Sequence, residues 1–348
     1  MTMRAGISRR ATLAGTAAVF AAARAGAQPT VHKVTPELIE AAKKEGKVSH
    51  YTSDDLTIAT KVAKQFEAKY GITFQLERSG AERNYQRISQ EMASNIHAVD
   101  VITSSDLSYI AAWKKAGVTA AYDVAETQDW PADARDPDGF YALQFFTLMA
   151  PCYNTRMIKA EEAPKTWTDL LDPKWKGKIV KAHPGYSGTI MTGTFALSRA
   201  LGWEYFEKLG KQGIMQVQSA VDQPLRVAQG ERPVAADSSE NSTIRAIEQG
   251  APVKVFYPPE GVPVVPIGVS VMAKAPRPNA ARLLKHFLLT PEIQQFYVDG
   301  GARSFSPTSK SPESRTPTSQ IKLLHVDPEQ VAKEAEDIRK RYARYFGI

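Results

Sequence analysis

The sequence predicts an α/β protein of about two domains. Its 348 residues exceed the usual size of one domain. Between residues 47 and 117, strand patterns alternate with helix patterns, which is typical of parallel β-α-β units. Two extended apolar runs, at 140–154 and 267–273, are widely separated in the chain. We interpret them as strands that carry the chain into a second domain and back.

The first part of the chain has clear start and stop signals. Thr35, Pro36 and Glu37 predict a helix start, because they supply an N-cap, a proline at the first helical position and an early acid. Ile58, Val62 and Phe66 recur at the spacing of a helix face. The elements after the first helix are predicted to be a strand at 47–51, a helix ending at Gly71, a strand at 72–76, a helix around 85–92, a strand at 98–103 and a helix ending at Gly117.

The second part of the chain is predicted to be mainly helical between the two apolar runs and after the second one. We expect helices at 167–171, 189–201, 242–249, 280–289, 291–299 and 327–346. The last of these is charged and amphipathic, which predicts a helix that closes the fold with one face in solvent.

Three polar loops follow the predicted strands, and ligands bind to such sheets at the carboxyl ends of their strands. Serine, threonine and aspartate in one loop are equally well explained as helix caps. Three aligned loops favour a shared polar cleft. The candidate ligand-binding residues in these loops are Ser53, Asp54, Asp55, Arg78, Ser104 and Ser105.

The segment 181–189, Lys-Ala-His-Pro-Gly-Tyr-Ser-Gly-Thr, precedes an apolar helix. Its glycines permit close approach of the backbone to a ligand, and its hydroxyls are donors. The free N–H groups and the positive dipole end of the helix favour an anion. A plain N-cap is the alternative interpretation. The candidate anion-binding residues are Tyr186, Ser187, Gly188 and Thr189.

Residues 1–27 have the pattern of an export signal. They contain Arg9 and Arg10, a run of small and apolar residues, and a small-x-small cleavage site at 25–27. The paired arginines predict the twin-arginine type, with cleavage after Ala27 and a periplasmic product. Removal of this segment lowers the net charge from +7 to about +3. No basic block with interleaved aromatic residues remains, so nucleic-acid binding is not predicted.

The sequence has no signature of a catalytic centre. Cys152 lies in an apolar stretch, which favours a buried thiol over a nucleophile. The chain lacks a G-x-S-x-G elbow, an H-E-x-x-H motif, a Walker A loop and a dinucleotide fingerprint. Its six histidines have no metal-ligand spacing. We predict no catalytic residue, cofactor or metal, with acid–base chemistry by Asp54 and Asp55 as the enzymatic alternative.

Residues 167–179, WTDLLDPKWKGKI, resemble a characteristic segment of bacterial extracellular solute-binding proteins of ABC importers. The resemblance is to the ferric-iron-type branch of the type 2 periplasmic binding proteins, and it covers nearly the whole chain after residue 27. Further matching segments are 48–53, 98–101, 153–154 and 288–294. The resemblance implies a monomer with two lobes, each a mixed sheet flanked by helices. Two crossover strands would form a hinge, and an inner-membrane ABC permease would be the partner.

We therefore predict lobe 1 at 28–145 and 262–320, lobe 2 at 146–261, and a closing C-terminal helix within 321–348. The ferric members of the branch hold iron with a histidine, a glutamate and adjacent tyrosines. This sequence has Asp54-Asp55, Ser104-Ser105 and the tyrosine-free segment 236–241 in those places.

Together with the anion-binding segment 181–189, the resemblance predicts capture of a small organic anion: a phosphonate, an organic phosphate or a carboxylate. Carboxylates would pair with a cationic or hydroxylated part of the solute, and tyrosines would supply apolar walls. The further candidate ligand-binding residues are Asp237, Ser238, Ser239 and Tyr257. Ferric-iron binding, a secreted enzyme and a sensory partner of a membrane receptor are the alternatives.

Overall fold

The computed structural model describes residues 29–348. The predicted export signal at 1–27 lies outside the described residues. Within the part of the chain that the structure describes, no helix is both long enough and apolar enough to cross a membrane.

Thirteen strands are present in the described residues. They are β1 (Val31–His32), β2 (Lys47–Thr52), β3 (Thr73–Arg78), β4 (Val101–Ser104), β5 (Thr119–Ala120), β6 (Asp123–Val124), β7 (Ala142–Asn154), β8 (Ile179–Ala182), β9 (Met215–Val217), β10 (Val234–Ser239), β11 (Val253–Val255), β12 (Val262–Met272) and β13 (Leu323–Leu324).

Eleven α-helices cover these strands in the same range of residues. They are α1 (Pro36–Glu45), α2 (Leu56–Tyr70), α3 (Ala81–Ala93), α4 (Leu107–Lys115), α5 (Gly188–Leu201), α6 (Trp203–Gly210), α7 (Gln223–Ala228), α8 (Glu240–Glu248), α9 (Pro278–Leu289), α10 (Pro291–Asp299) and α11 (Pro328–Phe346).

Lobe 1 is built on a mixed sheet with the strand order β3-β2-β4-β12. Strand β2 runs parallel to β3 and β4, whereas β12 runs antiparallel to β4. Because the three parallel strands end at one edge, the loops after Thr52, Arg78 and Ser104 lie side by side. On one face, Phe66 of α2 packs edge-on against Phe287 of α9, with ring centroids 5.3 Å apart.

Lobe 2 has a second mixed sheet with the order β7-β10-β8-β9, and β11 pairs with the other side of β7. Strand β10 is antiparallel to β7 and parallel to β8. Helix α5 is buried on nearly all sides, which agrees with its apolar sequence.

Two long strands, β7 and β12, connect the lobes. They pair antiparallel over Ala142–Leu148 and Val264–Val269. Beyond this pairing, β7 continues into the sheet of lobe 2 and β12 into that of lobe 1. The predicted crossover strands are therefore confirmed. The predicted boundaries at 145/146 and 261/262 stay predictions, since both strands belong to both lobes.

The segment that carried the family resemblance is a structural anchor in lobe 2. Trp167 is fully buried, and its indole Nε1 donates to the carbonyl oxygen of Gly261 at 2.8 Å. Its backbone N–H donates to the Glu260 carboxylate at 3.1 Å. These bonds tie residues 167–175 to the turn that precedes β12. The segment thus fixes the entry of a hinge strand.

Candidate ligand-binding cleft

The polar loops of lobe 1 lie directly against the start of α5 in lobe 2. A Cβ atom added to Gly188 would approach the Cβ of Asp106 to 2.8 Å and the carbonyl carbon of Ser105 to 2.9 Å. A Cβ atom added to Gly80 would approach the carbonyl oxygen of Tyr186 to 2.5 Å. Two glycines, one in each lobe, therefore permit this closed arrangement.

The first turn of α5 is buried and has no cap. Ser187 occupies the N-cap position, but its side chain makes no capping hydrogen bond. The N–H groups of Gly188, Thr189 and Ile190 donate no hydrogen bond to any group among residues 29–348. Buried helix ends normally find such partners, because an unpaired buried N–H group costs free energy. Three aligned donors with a positive dipole thus face the lobe boundary.

Free hydroxyl groups surround this helix start. The side-chain oxygens of Ser105, Ser187 and Thr189 make no hydrogen bond within the described residues, and all three side chains are more than nine-tenths buried. Ser53 links the two loops of lobe 1, because its Oγ accepts from the N–H group of Ser105 at 2.8 Å. The predicted anion-binding segment and two predicted loops are thus brought together.

Asp54 adds a buried carboxylate to the same loop. Its Oδ2 accepts from the Gln144 amide at 3.3 Å, whereas its buried Oδ1 has no partner in the described residues. Burial raises the pKa of this carboxyl to about 7, although hydrogen bonding to Thr52 and Gln144 and the Arg78 charge oppose the rise. This oxygen is free to accept a hydrogen bond from a donor outside the chain.

The crossover strand β7 contributes polar residues that the sequence analysis did not single out. Gln144 is fully buried, and its Oε1 accepts from Thr103 at 3.2 Å. Thr147 donates to Asn241 Oδ1 at 3.2 Å at the start of α8. The sequence did contain a signal for these two residues, because Gln144 and Thr147 are isolated polar residues in the apolar run 140–154. Together they form the polar floor of the cleft.

Asp55 pairs across the lobes instead of facing the uncapped helix. Its Oδ1 caps α2 by accepting from the N–H group of Thr57 at 2.9 Å. Its Oδ2 lies 2.5 Å from the Arg245 guanidinium on α8, and both side chains are largely buried. Nothing in the sequence around Arg245 indicated this role. In the closed conformation the Asp55 carboxylate is therefore occupied.

Arg78 lies at the rim of the cleft in a separate pocket of about 120 Å³. Its Nε donates to the carbonyl oxygen of Asp54 at 3.0 Å, and Nη2 reaches Ser219 of lobe 2 at 3.5 Å. Tyr186, which is 45% exposed, and Arg83 line the same pocket. Neither arginine forms an ion pair within the described residues. Asp222 lines the same pocket, so the rim carries two positive charges and one negative charge.

Three of the remaining predicted residues, Ser104, Ser238 and Ser239, form hydrogen bonds within their own lobes. The Ser104 hydroxyl bonds to the backbone of Asp106 at 3.1 Å, and Ser238 donates to the carbonyl oxygen of Ala150 at 2.8 Å. Ser239 donates to Asn241 at 2.5 Å, at the edge of the cleft floor.

Asp237 belongs to a buried ionic network of lobe 2, whereas Tyr257 belongs to one that reaches Arg303 in the segment predicted for lobe 1. Asp237 forms an ion pair with Lys181, and its Oδ1 also accepts from Gln223 at 3.0 Å. Tyr257 donates to Glu240 at 2.5 Å, and Glu240 is held by a bidentate pair with Arg303. Their polar atoms therefore have partners before any ligand arrives.

The described residues contain no group of three or more histidine, cysteine, aspartate or glutamate side chains placed to hold a metal ion. Cys152 is fully buried, and burial raises the pKa of its thiol to about 11. The chemistry brought together in the cleft is instead a set of N–H and O–H donors with the carboxylate oxygens Oδ1 of Asp54 and Oδ2 of Asp106, which are unpaired among the described residues.

Comparison with known proteins identifies the family. The profile of the family described as bacterial extracellular solute-binding protein matches residues 97–333. The chain belongs to this family. Its members bind solutes outside the cytoplasm, and this agrees with the predicted class and with the prediction that the chain is not an enzyme.

Individual relatives are distant but cover most of the chain. A periplasmic-binding protein of Sinorhizobium fredii, named as part of an ABC transporter, is 24% identical over 277 residues, which are 77% of this chain and 76% of the relative. A Salmonella typhimurium periplasmic protein named for 2-aminoethylphosphonate binding is 26% identical over 239 residues, 66% of this chain and 68% of the relative.

A solved structure confirms the fold class. The periplasmic binding protein AfuA of Actinobacillus pleuropneumoniae, determined with bound fructose-6-phosphate, superposes with a TM-score of 0.79 at 23% identity. The match covers 87% of this chain and 99% of that one. The two-lobed type 2 fold predicted from the sequence is therefore correct.

Proposed function

We propose that this protein is the periplasmic component of an ABC importer that captures a small organic anion between its two lobes. The observation that carries the proposal is the uncapped, buried N-terminus of α5 at the lobe boundary. A phosphonate, a phosphate ester or a carboxylate supplies the acceptors that Gly188, Thr189 and Ile190 lack.

The hydrogen-bond donors around the start of α5 select a negatively charged solute. Three backbone N–H groups, three free hydroxyls and the helix dipole all favour an anionic group. The guanidinium groups of Arg78 and Arg83 at the rim attract an anion before the lobes close. These features support organic anions over a bare metal ion as cargo.

Asp54 requires a hydrogen-bond donor on the solute, whereas the start of α5 requires an anionic acceptor. Its unpaired Oδ1 accepts a hydrogen bond from a hydroxyl or an amine of the solute. A relative named for 2-aminoethylphosphonate and a structural neighbour with bound fructose-6-phosphate both concern molecules that join a phosphorus-containing anion to such a donor. We therefore place the solute among amino- or hydroxyl-bearing phosphonates and phosphate esters.

We further propose how the protein is exported and how it delivers its solute. The N-terminal 27 residues direct export by the twin-arginine route and are removed after Ala27. The exported monomer closes on its solute through the hinge of β7 and β12. The closed lobes then deliver the solute to an inner-membrane permease.

Isothermal titration calorimetry of the exported protein tests this function. The panel contains phosphate, 2-aminoethylphosphonate, fructose-6-phosphate, citrate and Fe(III). We expect the two donor-bearing organic phosphorus compounds to bind more tightly than phosphate. Tight binding of Fe(III) without a response to any organic anion would contradict the proposal.

A serine pair provides the matched variants. Ser187→Ala removes a hydrogen bond to a charged group and should weaken binding about tenfold. Ser89→Ala removes an exposed hydroxyl that bonds only to the carbonyl oxygen of Tyr85 within α3. Its affinity should equal that of wild type. If Ser187→Ala binds the solute as tightly as Ser89→Ala does, the start of α5 does not contribute to the binding site.

A further inference from the structure

A second, larger space lies at the lobe boundary on the other side of the contact between Gly188 and Asp106. It is a cavity of about 400 Å³. Its walls come from α4, α5, both crossover strands and the segment that leads into α11. This volume falls in the range of pockets that enclose organic ligands.

The deep walls of the cavity are apolar. Leu143 of β7, Val264 of β12 and Val331 of α11 are buried side chains that line it. Phe305 adds an aromatic wall. The exposed residues Asp133 and His325 stand at its rim. The cavity is thus an apolar chamber with a solvent-facing mouth.

The charge of the cavity is negative. Its lining contains the carboxylates of Asp106 and Asp133 and no lysine or arginine. Asp106 is buried, and its Oδ1 accepts from the hydroxyl and the N–H group of Ser108. Its Oδ2 accepts no hydrogen bond within the described residues. A second anionic group inside this chamber would face the carboxylates of Asp106 and Asp133, and no lysine or arginine of the lining offsets them.

The cavity adjoins the proposed anion site. Asp106 touches Gly188 and also lines the cavity. Thr192, four residues after Gly188, lines the cavity from the same face of α5. Four residues of helix correspond to a rise of about 6 Å. The start of α5 and the cavity are therefore about one helical turn apart, with the contact of Gly188 with Asp106 between them.

We propose that the cavity receives an apolar organic body, such as a hydrocarbon chain or a ring, attached to the captured anion. The inference rests on the proposed function and narrows it. The solute carries one anionic group at α5 and no second anion on its body. The body is larger than the two-carbon chain of 2-aminoethylphosphonate.

The test is calorimetry with three matched phosphonates. They are methylphosphonate, 3-phenylpropylphosphonate and the same compound with a carboxylate at the para position of the ring. We expect the phenylpropyl group to raise affinity at least about tenfold over methyl, because its apolar surface leaves water. The para-carboxylate should cancel most of this gain.

Cavity variants distinguish the chamber from the anion site. Val264→Phe fills the chamber, and His325→Trp narrows its exposed mouth without altering the core. Both should lose the phenylpropyl gain and keep the affinity for methylphosphonate. His97→Trp lies on another surface of lobe 1 and should behave as wild type. Asp106→Asn, which preserves the cap of α4, should accept the para-carboxylate.

The outcomes separate the two proposals. If methylphosphonate binds and the phenylpropyl group adds nothing, the cavity inference is overturned and the anion site stands. If the gain persists in both cavity variants, the inference is also overturned. If wild type binds no phosphonate but binds an organic anion of the first panel, the cavity inference is overturned and the anion site stands. If wild type binds no organic anion of either panel, the proposed function itself fails.

Discussion

Asp54 is a carboxyl group whose ionisation opposes folding of the ligand-free protein. Burial raises its pKa from about 4 to about 7, so the folded chain holds a proton that the unfolded chain releases between these values. The contribution of Asp54 to the stability of the ligand-free protein should therefore fall as pH rises from 4 to 7 and stay level above 7. At pH 8, Asp54→Asn should be more stable than wild type by up to about 4 kcal/mol.

Urea unfolding at pH 4 and pH 8 measures this effect. The advantage of Asp54→Asn should vanish at pH 4, where the wild-type carboxyl is protonated. Asp129→Asn changes an exposed carboxylate and should leave the stability difference between the two pH values unaltered. A constant advantage of Asp54→Asn at both values would show that the carboxyl charge is not its cause.

The partners of individual side chains could not be predicted from the sequence. Asp54 and Asp55 are adjacent, and the sequence offered no way to tell which faces the cleft. The structure resolves them because Asp55 caps α2 and pairs with Arg245, 190 positions away in the chain. Asp237 likewise meets Lys181 only after β8 and β10 align. Such partners depend on long-range packing, which local patterns do not encode.

The start of α5 determines how far the lobes can close. Gly188→Ala places a methyl group within 2.9 Å of Ser105 and Asp106 in the closed arrangement, whereas an open cleft leaves it free. The variant should keep its folding stability, because alanine is a better helix former than glycine. Its affinity for the best ligand of the panel should fall at least about tenfold, because closure is blocked.

Small-angle X-ray scattering tests this directly. Wild type should contract on addition of ligand, and Gly188→Ala should not. Gly80→Ala meets the Tyr186 carbonyl from the other lobe and should show the same loss of contraction. Ligand-induced contraction in both glycine variants equal to that of wild type would show that these contacts do not limit closure.

Elements were predictable where their signals are local. The N-cap at Thr35 and the glycine after Tyr70 locate α1 and the end of α2, as the sequence predicts. Strand β12 begins five residues before the predicted run at 267. The sequence did not predict its first half, because Pro263 and Pro266 are unfavourable in a strand. Proline has no N–H group to donate to a ladder, and the pairing of β12 with β7 is irregular directly after Pro266, with a register shift between Ile267 and Gly268. The short strand β8 and helix α7 lacked a distinctive pattern and were not predicted.

The whole molecule is bridged by its last helix as well as by its hinge. On lobe 1, Arg339 of α11 donates to Glu82 and to the hydroxyl of Tyr109, each at 3.0 Å. On lobe 2, the buried Tyr342 donates to the carbonyl oxygen of Ala182 at 3.2 Å and to Gln216 at 3.0 Å. The sequence predicted a helix that closes the fold, and its contacts with both lobes are visible only in the structure.

This bridge predicts a shift of the closure equilibrium. Tyr342 is buried in lobe 2, whereas Arg339 reaches lobe 1 through partly exposed polar contacts. Opening should therefore separate α11 from lobe 1. Arg339→Gln removes an ion pair worth about 1 kcal/mol at such exposure, so affinity should fall about fivefold. The radius of gyration of the ligand-free protein should increase.

Arg341 provides the control on the same helix. It pairs with Asp337 one turn earlier and contacts no residue of lobe 1 through this bond. Arg341→Gln should leave both the scattering profile and the affinity unchanged. If Arg339→Gln also matches wild type in both measurements, α11 is a passive cover that does not set the closed state. A change in scattering and affinity in Arg339→Gln but not in Arg341→Gln would show that the C-terminal helix connects the lobes, in addition to β7 and β12. In that case a residue that does not contact the ligand alters closure.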